Sequence, residues 1–191
     1  MSGFPYRTAL IVGTGPGIST SLARRLRAAG VEVGVAARRL EKLRTLAADI
    51  GAHAFEVEAT SAESVASLFS AATERLGDID IVAYNAGARL PGSLLELDPR
   101  AVEKAIAVNA SGGFLVAQQA ARRMVPRGKG AILFTGATAS VKGFANSAAF
   151  AMGKFALRGL AQSPDQHPAP AGNCAATGRL QPTARRREQP L

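Results

Sequence analysis

The chain has 191 residues, 47% of them hydrophobic, which is enough for one well-buried domain. A single cysteine, Cys174, excludes an internal disulfide and any multi-cysteine metal site, and the presence of only two histidines, His53 and His167, argues against a histidine-based metal site or triad. The formal charge of +9 is scattered in pairs such as Arg24–Arg25 and Arg122–Arg123, aromatics are only 5%, and no stretch interleaves the two, which argues against a dedicated nucleic-acid surface.

No apolar run approaches the roughly 18 residues of a membrane span, and the amino-terminal MSGFPYR carries no apolar targeting segment. A cytoplasmic protein without a membrane partner is therefore expected. Up to residue 163 short β-type runs alternate with longer helical ones, as in stacked βα units. TALIVG (8–13) is the first strand, and residues 17–29 place Leu22, Ala23, Leu26 and Ala29 at helical spacing before Gly30. VEVGVAA (31–37) is the second strand, followed by a helix carrying Leu40, Leu43 and Leu46. HAFEVEA (53–59) is the third, and Val65, Leu68 and Phe69 mark the next helix. IDIVAYNAG (79–87) is the fourth strand, ahead of a long helix over about 98–125. AILFTG (131–136) is the fifth, and residues 146–163 form a last helix. Apolar strands on this plan predict a parallel sheet covered on both faces.

Beyond Ser163 the composition changes. Residues 164–191 hold five of the ten prolines, four arginines and no aromatic residue. Such a segment buries too little surface to offset its ordering entropy, so a domain over 1–163 with a disordered or loosely draped Pro/Ala/Arg-rich tail over 164–191 is expected.

IVGTGPGIST (11–20) follows a strand and opens a helix, the setting in which glycines let a backbone approach a pyrophosphate. Gly13, Gly15, Gly17 and Ile18 are the candidate contacts. At the end of the second strand, where a carboxylate would favour NAD(H), the chain reads Ala37, Arg38 and Arg39. No acid is there to repel a 2′-phosphate and a guanidinium can pair with it, so NADP(H) is expected over NAD(H), with Arg38 as the reader. The alternative is a pair of solvated surface arginines.

These features together resemble the short-chain dehydrogenase/reductase family, classical type. Gly13 and Gly17 match its T-G-x-x-x-G-x-G turn, while Val12 and Ser19 depart from it. YNAG (84–87) is similar to the family's N-N-A-G, with Asn85 and Gly87 matching. Glu58 stands where the family has an adenine-contacting aspartate. Asn109 matches the helix asparagine that anchors a water relay to the active-site lysine, and Lys154 matches the lysine of Y-x-x-x-K. The resemblance implies a three-layer α/β Rossmann fold with five parallel strands in the order 3-2-1-4-5. It also implies hydride transfer with a small carbonyl or alcohol, and a homodimer through the helices near 98–125 and 146–163.

The tyrosine that would move the proton is replaced by Phe150. The position of the family's serine falls on Ala137, and a shift of one residue gives Thr138 as a substitute hydroxyl; Ser140 and Ser147 lie nearby. The only tyrosines are Tyr6 and Tyr84, and the spacing of Tyr84 does not fit the role. Catalysis would then rest on Lys154, Asn109 and Thr138 without the phenol, either as an impaired oxidoreductase or as an inactive cofactor-binding module or gene remnant. The family's later strands and substrate-covering segment have no counterpart after residue 163, a pattern consistent with a shifted reading frame near codon 164. An open edge on the fifth strand is the expected consequence.

Overall fold

The computed structural model describes residues 4–163 and the backbone of Ala175–Arg179. The strands are β1 (Thr8–Val12), β2 (Glu32–Ala37), β3 (His53–Glu56), β4 (Ile81–Tyr84), β5 (Ala131–Thr135) and β6 (Ala175–Arg179). The helices are α1 (Ile18–Ala28), α2 (Leu40–Ile50), α3 (Ala62–Leu76), α4 (Pro99–Ile106), α5 (Gly112–Met124) and α6 (Ala148–Gln162). β1 to β5 are parallel in the order β3-β2-β1-β4-β5, as the sequence predicts.

The strands read as unbroken apolar runs because both faces of the sheet are covered. In β1, Leu10 and Val12 join a core with Val65, Phe69, Val116 and Leu157 from α3, α5 and α6. The intervening Ala9 and Ile11 face the other way, onto Ala23 and Leu26 of α1 and Leu43 and Ala47 of α2. The two-residue strand period thus sorts one run into two cores.

Local signals set several helix ends. The Ser61 hydroxyl accepts the Ser64 amide at 3.1 Å to start α3, and Asp98 accepts the Arg100 and Ala101 amides ahead of Pro99 to start α4. Among the described residues no helix is long and apolar enough to cross a membrane.

Two expectations are corrected. The long helix over 98–125 is interrupted: Ala107–Ser111 is a π-helical turn between α4 and α5. Its physical cause is the packing at its centre. Asn109 is fully buried and bonded on both sides, and the hydroxyl of Tyr84 donates to the Val108 carbonyl, drawing that group away from the regular helical ladder. The open edge on the fifth strand is also overturned, since β6 pairs antiparallel with β5 from Ala131↔Arg179 to Thr135↔Ala175. An unpaired row of N–H and C=O groups is a template for strand addition, and here residues within the same chain supply the strand. The rest of the expected draped tail, 164–174 and 180–191, lies outside the described residues.

Candidate active site

The order of the parallel strands reverses between β1 and β4, and the sequence-predicted positions lie about the carboxyl ends of these strands and their neighbours. Gly13 follows β1 directly. Its φ is +85°, and a methyl group there would lie 2.2 Å from the Ala86 nitrogen, so only glycine lets the two strand ends approach. The Asn85 side-chain amide donates to the Gly13 carbonyl at 2.9 Å, and the Gly13 and Thr14 amides donate to Ala36 O at the end of β2. The glycine turn is thereby pinned to both neighbouring strands.

Ser19, the residue that departs from the family's last glycine, braces the turn from inside. Its hydroxyl accepts the Gly15 amide at 3.0 Å and donates to the Gly15 carbonyl at 2.8 Å, and Thr20 donates to the same carbonyl. Outside the turn there is room: a Cβ at Gly15 or Gly17 would meet nothing within 4 Å, and the Ile18 side chain is exposed. No side chain caps the start of α1 and no acid lies in its first turn, so its amides face outward unneutralised.

At the end of β2, Arg38 is exposed. Glu58 follows β3, where the hydroxyl and backbone amide of Thr60 donate to it. These two bonds, with the charge of Arg38 nearby, hold the Glu58 carboxyl below the usual range despite partial burial.

Lys154 projects from α6 into the interior. It is 4% exposed, its ammonium donates to the Thr135 carbonyl at 2.8 Å, and no carboxylate pairs with it among the described residues. Burial pushes its pKa down from the usual lysine value. Asn109 lies alongside. Its Oδ1 accepts the Ala88 amide at 3.2 Å, while Nδ2 donates to Ala88 O at 2.7 Å and Ala105 O at 2.9 Å. The close fit needs Gly153, where a methyl group would fall 2.4 Å from Asn109 Cβ. A Cβ at Gly87 would in turn lie 3.3 Å from Asn109 Oδ1 and 3.8 Å from Lys154 Nζ, so these three residues form one cluster.

Phe150 is half-buried, with Lys154 Nζ 5.8 Å from its ring centroid. The hydroxyl of Thr138 is on an exposed residue in a short 3-10 turn (Thr138–Ser140) after β5, whereas Ser140 is buried and spends its oxygen accepting the Ala137 amide. Tyr84 is sealed beneath α5, where a methyl group at Gly112 would lie 2.4 Å from its hydroxyl. Burial, with the charge of Glu58, pushes its pKa well above the ordinary phenol value. One residue that motif spacing did not single out is Arg89, whose Cζ lies 5.2 Å from the Phe150 ring centroid.

Residues 7–188 match the family model described as short chain dehydrogenase. The 3-oxoacyl-[acyl-carrier-protein] reductase MabA of Mycobacterium tuberculosis is 31% identical over 160 residues, covering 84% of this chain and 62% of the relative. The chain thus spans about three fifths of that protein's length. A short-chain dehydrogenase from Rhodopseudomonas palustris superposes with a TM-score of 0.76 at 33% identity, covering 82% of this chain and 76% of that one. A variant of actinorhodin polyketide ketoreductase with NADPH gives a TM-score of 0.79 at 29% identity, covering 82% and 62%.

Proposed function

The chain belongs to the short-chain dehydrogenase family, and from that premise we propose that it holds NADP(H) across the β1/β4 switch point and reduces a small carbonyl, or oxidises the alcohol, only slowly. The observation that carries this reading is the convergence on one strand edge of Asn85 with Gly13, and of Asn109 and Gly87 with Lys154. NADP(H), when bound, supplies or receives the hydride. The open space at Gly15 and Gly17 and the uncapped start of α1 fit a pyrophosphate, with Ile18 beside it. In this reading Arg38, exposed at the end of β2, pairs with a 2′-phosphate and Glu58 meets the adenine side. Lys154 holds the nicotinamide ribose, Asn109 fixes the Ala88 backbone beside it, and Thr138 offers a hydroxyl to the substrate oxygen. Phe150 has no proton to transfer. Losing a positioned general acid costs roughly 10²–10⁴ in rate.

Calorimetric titration of the size-checked chain with NADPH and NADH tests the binding half. Saturable binding with NADPH preferred is expected, and an absence of binding from a monodisperse sample sinks the proposal. Phe150→Tyr tests the chemistry. With the Lys154 ammonium next to the new phenol, NADPH-dependent ketone reduction should rise by as much as about 10²–10⁴. A variant that binds NADPH yet stays inactive favours the second reading, a cofactor-holding chain without turnover.

The half-exposed Phe114, Met152 and Phe155 on α5 and α6 also support pairing of two copies through these helices. Sedimentation should then give a dimer that Phe155→Asp weakens.

A further inference from the structure

Beside Phe150 lies an arginine, Arg89, that the proposed reaction does not use. Arg89 lies over the Phe150 ring at 5.2 Å, and the buried Lys154 ammonium lies 5.8 Å from the same ring. Two cations therefore flank one aromatic side chain, and no carboxylate pairs with either among the described residues. Lys154 spends a donor on the Thr135 carbonyl. The Arg89 side chain makes no hydrogen bond among the described residues and is exposed.

The position of Arg89 is not that of an ordinary surface arginine. The residue before it, Ala88, is clamped through both its amide and its carbonyl by the fully buried Asn109. The backbone that carries Arg89 is therefore fixed, and the aromatic ring beneath restricts the side chain. A guanidinium held over a ring by a cation–π contact leaves its N–H fork available, and that fork matches a carboxylate. A tyrosine at position 150 would bring a hydroxyl into this space; phenylalanine brings none.

We propose that Arg89 is the specificity-determining residue of this cleft, and that the ligand it selects is an oxo or hydroxy acid whose carboxylate pairs with the guanidinium a few bonds from the reacting carbon. The inference rests on the reading of the cleft as an oxidoreductase site, and it adds the charge of the substrate. Arg89 binds the carboxylate, Phe150 packs against the carbon chain, and the oxygen to be reduced points toward Thr138 and Lys154. Neutral ketones of the same length leave the guanidinium unpaired and are held less well.

The probe is levulinate, a short oxo acid, against its primary amide, which has the same shape without the charge. Saturation-transfer NMR titrations of the full chain, with and without saturating NADPH at low ionic strength, give both affinities. Levulinate should bind at least about tenfold more tightly than the amide. Arg89→Met should abolish that ratio, Arg89→Lys should keep part of it, and added salt should shrink it. Circular dichroism melts of both variants check that they fold. Equal affinities for acid and amide overturn the proposal, as does a ratio that survives in a folded Arg89→Met. An equal loss of NADPH affinity in Arg89→Met, without any acid preference in the parent, overturns it too and assigns Arg89 to cofactor phosphate instead. Failure of the chain to bind NADPH counts against the oxidoreductase reading alone, because the acid-to-amide ratio is also measured without cofactor.

Discussion

Two buried ionisable side chains lie toward opposite ends of the same sheet, and they are treated in opposite ways. Just before β4 begins, Asp80 is 2% exposed and surrounded by donors: the Arg7 amide at 2.8 Å, Arg127 at 2.5 Å and Lys129 at 2.9 Å. At the carboxyl edge, Lys154 is almost as deeply buried and receives one backbone carbonyl. Burial alone would push the Asp80 carboxyl up, yet the Arg7 amide, Lys129 and Arg127 outweigh it and hold it below the usual range. Nothing comparable offsets the burial of Lys154. The Asp80 end ties the amino-terminal side of β1 to β4 and to the turn before β5. The other end keeps a desolvated ammonium with no carboxylate partner among the described residues.

The contrast is sharpest if the paired end is broken. Asp80→Ala leaves Arg127 and Lys129 facing a cavity and should cost about 3 kcal/mol, the lower end for a broken buried ion pair because both cations retain access to water. A fall in Tm of roughly 6–12 °C checks it, since about 1 kcal/mol moves a domain of this size by 2–4 °C. A variant that melts with the parent would show that the network contributes nothing.

Acid should reveal the same network more gently. A carboxyl whose folded pKa is depressed contributes stability that is fully present above its unfolded pKa of about 4 and is lost as pH falls through the folded value. Urea midpoints should therefore drop below about pH 4, and the drop should be shallower in Asp80→Ala. Parallel slopes would place the acid sensitivity elsewhere.

The unpaired end predicts a smaller effect of opposite sign. Lys154→Met removes a desolvated charge and keeps the packing, so the free chain should gain about 1–2 kcal/mol. Its NADPH affinity should fall in the same variant. A destabilised Lys154→Met would mean that the bond to Thr135 outweighs the burial penalty, and the two ends would no longer differ in kind.

The strands were legible because the sheet is covered on both faces: runs such as TALIV and IVAY carry no polar face to confuse. Their ends were less so. The third strand stops at Glu56 rather than running to 59, and the fourth covers 81–84 rather than 79–87, although single backbone bonds such as Val57 to Ala37 and Asn85 to Val12 reach beyond these ends. The π-helical turn at 107–111 had no local signal, since its alanines and single valine fit a regular helix and the bonds from Tyr84 to the Val108 carbonyl and from Asn109 to Ala88 come from elsewhere in the chain. Arg89 was missed for a related reason. It stands in a loop, where neither strand nor helix periodicity gives its direction, and only the packing of α6 brings Phe150 beneath it.

By itself the sequence determined the parallel α/β plan, the glycine turn after the first strand, the arginine at the end of the second and the absence of a phenol four residues before Lys154. These are local facts: apolar period, turn chemistry and side-chain identity. Tertiary structure alone decided that Tyr84 is sealed from the cleft, that Asp80 is paired while Lys154 meets no carboxylate among the described residues, and that Arg89 meets Phe150. Each of those depends on residues far apart in the chain, brought together by the crossing of elements on a sheet whose order no single segment encodes.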